Sequence, residues 1–320
     1  TSFMEVFLCL KGDIMSNGSA QLTRIGVETK VGVAATEWQT LGFVSNSLDA
    51  APQTTESQTI KDTRIAAGTF VTGVEVTGDI ETEFAYGIQD ELLEAVAFNK
   101  FDKNILTFGG KTRKSFSIVR GFEDVDNYHL FTGCHINQWA LSIPDQGIVT
   151  SKFSIMGMGR TASDKAPTGK NTSAPEALPL TSQSMGDILI DGVIKDGMCA
   201  SQLDLTIDNS MQVQKCLGKK ENNGIGAILE TIMKGSGSIT IAWSKNTAAL
   251  YEKQFLNQPI GIEWPLIDSA GNKYIIKLPK VLLSAPLPSG GGADLLTTQF
   301  SFTVADVAPT LTRVPVVVTP

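Results

Sequence analysis

The sequence predicts a mainly β protein of two tandem β-sandwich or barrel domains, each with one flanking α-helix. Three observations predict it. Two strands of strict period-2 alternation lie 159 positions apart, a helical pattern follows each at the same spacing, and a Pro-, Ser- and Thr-rich segment separates the two copies.

In the first copy, residues 78–84 place Ile80, Thr82 and Phe84 on one face; in the second, residues 237–243 do the same with Ile239, Ile241 and Trp243. Residues 87–99 (GIQDELLEAVAFN) then read as a helix with Leu92, Leu93 and Val96 inward. Residues 246–257 (NTAALYEKQFLN) read likewise, with Tyr251 and Phe255 in the places of Leu92 and Val96 and Asn246 as N-cap. A hairpin signal follows each helix: Gly109-Gly110 between Ile105-Leu106 and Phe116–Ile118, and residues 268–272 before Tyr274–Ile276. Each copy closes on a similar strand, 152–155 and 299–302. The boundaries read as an N-terminal arm (1–19, with 1–14 outside the repeat pattern altogether), a first domain (20–160), a linker (161–185), a second domain (186–308) and a C-terminal tail (309–320). Polar excursions at 50–69 and 214–235 precede the two matched strands; loops this long in compact domains commonly carry function.

Composition narrows the function. The chain of 320 residues is 42% hydrophobic and 18% charged, which suits packed cores, and it carries 30 glycines, which suits turns. Its formal net charge is -7, the opposite of what gripping nucleic acid requires. Cys9, Cys134, Cys199 and Cys216 form no CxxC pair, so neither a zinc knuckle nor a redox motif is indicated and free thiols are expected. No apolar run approaches the ~20 residues of a membrane span.

Catalytic patterns fail one by one. His129 and His135 are six apart, a spacing that makes no helical metal pair. Gly110-Lys111-Thr112 ends like a phosphate-binding loop, but Ile105 stands where its first glycine belongs. Residues 235–238 (GSGS) are a turn into a strand rather than a nucleophile elbow. The sequence thus reads as non-enzymatic, without cofactor or metal. What stands out is charge. Glu75, Asp79, Glu81 and Glu83 share the polar face of one strand, and Asp204 and Asp208 that of another. One such strand alone is an ordinary solvated face; two suggest a single acidic surface.

Residues 115–159, SFSIVRGFEDVDNYHLFTGCHINQWALSIPDQGIVTSKFSIMGMG, closely resemble the major tail tube proteins of siphophages. So do 76–96 (VTGDIETEFAYGIQDELLEAV), 201–218 (SQLDLTIDNSMQVQKCLG) and 271–288 (GNKYIIKLPKVLLSAPLP), and the resemblance extends over about 20–308. It implies a duplicated tail-tube domain, a structural role in the virion tail and assembly in the host cytoplasm. Sheets of neighbouring copies would join around a lumen, in a trimeric ring with pseudo-sixfold symmetry or a hexameric ring, stacked head to tail. The implied partners are the chain itself, tail terminator and tail-tip proteins, the tape measure protein, and then genomic double-stranded DNA passing without specific binding, with no membrane. On this reading Glu75, Asp79, Glu81, Glu83, Asp204 and Asp208 face the lumen and repel phosphates. The excursions, through Gln53, Thr54, Thr55, Glu56, Lys219, Lys220 and Glu221, reach the adjacent ring. The alternative is a tandem β-sandwich adhesion or receptor-binding module of a virion, which self-association distinguishes.

Overall fold

A computed structural model describes residues 15–194, 198–217 and 224–316. Residues 1–14 and the excursion residues Lys219, Lys220 and Glu221 lie outside the described residues.

Strands dominate. The first module runs β1 (Gln21–Val27), β2 (Glu37–Thr40), β3 (Ser45–Asn46), β4 (Asp49–Glu56), β5 (Thr69–Glu83), α1 (Asp90–Ala97), β6 (Ile105–Thr107), β7 (Phe116–Phe122), β8 (Asn127–Ile143), β9 (Thr150–Gly157), β10 (Gly159–Ser163) and β11 (Lys170–Thr172). The second runs β12 (Leu189–Ile190), β13 (Val193–Ile194), β14 (Ala200–Asp208), β15 (Gln212–Lys215), β16 (Ile225–Leu229), β17 (Lys234–Ala242), α2 (Lys245–Phe255), β18 (Ile260–Ile267), β19 (Lys273–Ser284), β20 (Thr297–Val304) and β21 (Thr310–Val314).

The pairing scheme occurs twice. β1 pairs β2 and β7 as β12 pairs β13 and β18. β5 pairs β9 as β17 pairs β20, with Ile80 opposite Phe153 and Ile239 opposite Phe300. β8 pairs β7, β9 and β10 as β19 pairs β18, β20 and β21. Two equivalent glycines fit this scheme: a Cβ on Gly78 would overlap the Leu48 backbone between β3 and β4, and one on Gly237 the Asp204 carbonyl of β14.

The two modules are not separate bodies. β8 pairs β14, so the sheets join into one antiparallel sheet of eight strands in the order β4–β5–β9–β8–β14–β17–β20–β19. One apolar cluster draws on both modules, including Phe84, Trp139, Ile207, Trp264, Tyr274 and Phe300. Tyr274 stacks on Phe84 with centroids 5.3 Å apart, and Phe108 stacks on Trp139 at 5.7 Å.

Several sequence expectations need correcting. β6 pairs β21 of the other module, so Gly109-Gly110 is not a hairpin turn. Instead the Gly110 N–H donates to the Ala97 carbonyl at the end of α1, at 2.9 Å. The counterpart of the β18–β19 hairpin, which does turn at 268–272, is β7–β8. Ser244, not Asn246, caps α2, accepting from the Thr247 N–H at 3.2 Å. That phase turns Thr247 and Leu250 inward, so Phe255 is 66% exposed while Val96, its counterpart in α1, is buried. Residues 161–185 connect the modules as a strap laid along the first one. β11 pairs β2, the Trp38 indole N–H donates to the Thr168 carbonyl, and buried Leu180 is hydrogen-bonded between Phe84 and Val149.

Candidate functional site

The long sheet has one apolar and one polar face, because every strand alternates. Ile80, Phe153, Trp139, Leu205, Ile239 and Phe300 point into the core. Register then fixes what lies opposite. Glu75, Asp79, Glu81 and Glu83 of β5 sit on the other face, as do Asp204 and Asp208 of β14. Between and beside them stand Ser154 of β9, Ser142 and Gln138 of β8, Ser238 of β17 and Ser301 of β20. The acidic residues lie on one face of a single sheet, on β5 and β14 with β9 and β8 between them, rather than clustered in a cavity.

That face is not purely acidic. Lys152 of β9 pairs with Glu81 in register and lies 3.8 Å from the Asp79 carboxylate, and Lys234 pairs with Asp208. The strand alone showed no cation; its neighbours supply them. Two other carboxylates are held by neutral groups. Ser142 donates to Asp204 at 2.6 Å, Gln202 donates to it at 2.8 Å, and Gln53 donates to Glu75 at 3.1 Å. The rest of the face is short hydroxyl and amide side chains, which offer a phosphate backbone little positive charge to bind.

The sheet is open at both edges among the described residues. β3 and β4 pair only β5, and beyond Val281 the outer side of β19 pairs nothing. Side chains occupy the edge amides. The Leu48 N–H donates to the Asn46 side-chain carbonyl at 3.0 Å and the Ala50 N–H to the Asp49 carboxylate at 2.7 Å. On the other edge the Ala285 N–H donates to the Gln254 side-chain carbonyl at 3.0 Å. Such capping blunts an edge against indiscriminate pairing. Sequence reading missed Asn46, Asp49 and Gln254, because an edge is recognisable only once the neighbouring strand is known to be missing.

The two excursions differ. The second becomes the hairpin β15–β16, whose Met211, Ile225 and Ile228 bury against Phe98 and Met158 of the first module. Asn209, at its root, donates to the Val96 carbonyl at 3.0 Å, and Glu230 is paired with Arg113 at 2.8 Å. The first excursion becomes the hairpin of β4 and the start of β5; Gln53, Thr54, Thr55 and Glu56 all lie in β4 and are exposed.

No group of His, Cys, Asp and Glu among the described residues could hold a metal ion, and no described helix is long and apolar enough to cross a membrane. The fold is that of a duplicated β-sandwich protein with one polar sheet face and two open sheet edges among the described residues. A family model described as phage tail tube protein matches residues 18–304, and the chain belongs to that family. It is a structural component of the phage tail. No curated protein matches the chain.

Proposed function

We propose that this chain is the self-assembling, non-catalytic subunit of a siphophage tail tube, in which copies join edge to edge into rings that stack into the conduit for DNA ejection. One observation carries the reading: the β8–β14 seam. There two copies of one module already lie side by side, with Leu203 opposite Ile143, Leu205 opposite Leu141 and Ile207 opposite Trp139. β3–β4 of the first module occupies the place of β14, and the end of β19 that of β8. A second copy of the chain, continuing the same register, sets Leu48 opposite Leu287 and Ala50 opposite Ala285. Leu287 is 60% exposed in the single chain, as a seam residue awaiting its partner should be.

Three chains supply six modules and close a trimeric ring with pseudo-sixfold symmetry, removing every edge of the long sheet. In such a ring the polar face lines the lumen. Glu75, Asp79, Glu81, Glu83, Asp204 and Asp208 then discourage adhesion of the tape measure protein's successor in the channel, the double-stranded genome. Terminator and tip proteins cap the stack, and assembly takes place in the host cytoplasm.

Negative-stain microscopy of the purified protein tests this: rings or tubes are expected, and a discrete oligomer that binds a glycan would replace the reading with an adhesin. The variant Ala50→Cys/Ala285→Cys tests the seam, because oxidation should join separate chains only if these residues are cross-strand neighbours.

A further inference from the structure

The two hairpins that leave the long sheet occupy equivalent places, yet one is docked and the other is not. β15–β16 rests on the first module through Met211, Ile225 and Ile228. The β4–β5 hairpin leaves its apolar side chains in solvent: Val71 is 65% exposed and Phe70 is 61% exposed. The matching face of the second module is equally bare, with Phe255 and Leu256 of α2 exposed and Leu282 of β19 38% exposed. Phe98 and Asn257 end the two helices in the same left-handed conformation, at φ 52° and 47°, so the two faces share a backbone frame.

Pairing fixes which residues correspond. Val71 precedes Ile80 by as many residues as Glu230 precedes Ile239. His135 pairs Met156 and Leu282 pairs Thr303, at matching places in β9 and β20. In the docked hairpin, Glu230 is ion-paired to Arg113 and interacts electrostatically with buried His135. At the undocked site Glu230 and His135 are exchanged together, to Val71 and Leu282. Changing one side alone would set a carboxylate against an apolar side chain. Exchanging both sides keeps the contact matched.

We propose that the β4–β5 hairpin docks on the second module of a neighbouring copy in the same ring, across the C-terminal turn of α2 and the end of β19, placing Val71 against Leu282. This rests on the tube reading above, and it departs from the expectation that Gln53–Glu56 reach an adjacent ring. The occupant is a second copy of this chain, because this chain's own equivalent hairpin is seated on the equivalent face of the first module. The contact covers Phe255, which is exposed in the single chain.

Cysteine cross-linking tests it, with Cys9, Cys199 and Cys216 replaced by serine. Val71→Cys/Leu282→Cys should form a covalent ladder on oxidation that stops at the number of chains microscopy finds in one ring; neither single variant should form it. Because both positions are exposed, the unoxidised variant should melt with the parent. A ladder running past one ring places the hairpin on an axial neighbour and overturns the proposal. Tubes that cross-link through Ala50→Cys/Ala285→Cys but not through Val71→Cys/Leu282→Cys overturn the docking and leave the tube reading intact. Failure of both pairs with no rings overturns both. In a second arm, Val71→Glu should abolish assembly and Val71→Glu/Leu282→Arg should restore it; no effect of Val71→Glu counts against the contact.

Discussion

Tyr274 of the second module donates its phenolic hydroxyl to the carboxylate of Asp90, which opens α1 in the first. The same hydroxyl accepts from the Gly87 N–H at 2.8 Å, and Arg313 completes the group by pairing with Asp90. The bond ties the two modules at a helix N-terminus, where a carboxylate is already favoured.

Tyr274→Phe removes a buried hydrogen bond to a charged acceptor and should cost about 1.5–3 kcal/mol, read by urea unfolding of the unassembled protein. Burial, and then the Asp90 charge, push the Tyr274 hydroxyl well above the ordinary phenol value. Its folded form thus holds the proton more tightly than the unfolded chain, so its contribution is full below pH ~10 and declines as pH rises beyond. The alkaline limb of a pH–stability profile should flatten in Tyr274→Phe; an unchanged limb would reject this role.

The helices should respond unequally. Leu92 is buried against the sheet, so Leu92→Ala should destabilise the protomer by about 2–5 kcal/mol. Phe255→Ala should change protomer stability by less than about 1 kcal/mol, since its ring is mostly in solvent, yet weaken assembly. Thermal melts and sedimentation on the same samples separate the two effects.

Acid should act through Glu94. Burial raises its carboxyl, but the Lys114 ammonium and the Phe101 N–H outweigh burial and hold it below the usual carboxylate range. Since the folded value is the lower one, the stabilisation is present above pH ~4.3 and is lost as pH falls through the folded value. Glu94→Gln should lower stability at neutral pH and shrink the acid-induced loss, measured as melting temperature between pH ~3 and ~7.

Charge reversal tests the lumen. Particles carrying Lys at Glu75, Asp79, Glu81 and Glu83 should assemble but release DNA slowly or not at all, followed by dye accessibility of the ejected genome. Release at the parental rate would remove this face from the channel wall.

Much of this fold was legible in period and spacing. The alternation of β5 and β17 marks both strands and their inward residues, and the sheet class follows. What was not legible depends on distant partners. The Gly109-Gly110 turn carries hairpin residues, yet β6 pairs β21, because Leu106 is better buried opposite Leu311 than beside β7. Phe255 looked inward by analogy with Val96, but α2 buries Thr247 and Leu250 instead. The acidic positions were legible as strand faces; their neighbours Lys152 and Lys234 were not, because cross-strand register is absent from any one segment.

The covalent tie between the modules has a further consequence. A ring of identical single modules must repeat one chemistry at every junction. A ring of paired modules alternates two kinds, and only one kind forms by collision. The tethered junction, with Arg113 and Glu230, tolerates salt because its chain holds it in place at high effective concentration. In the proposed ring the bimolecular junction, with Val71 and Leu282, carries no ion pair, so its strength should change little with ionic strength.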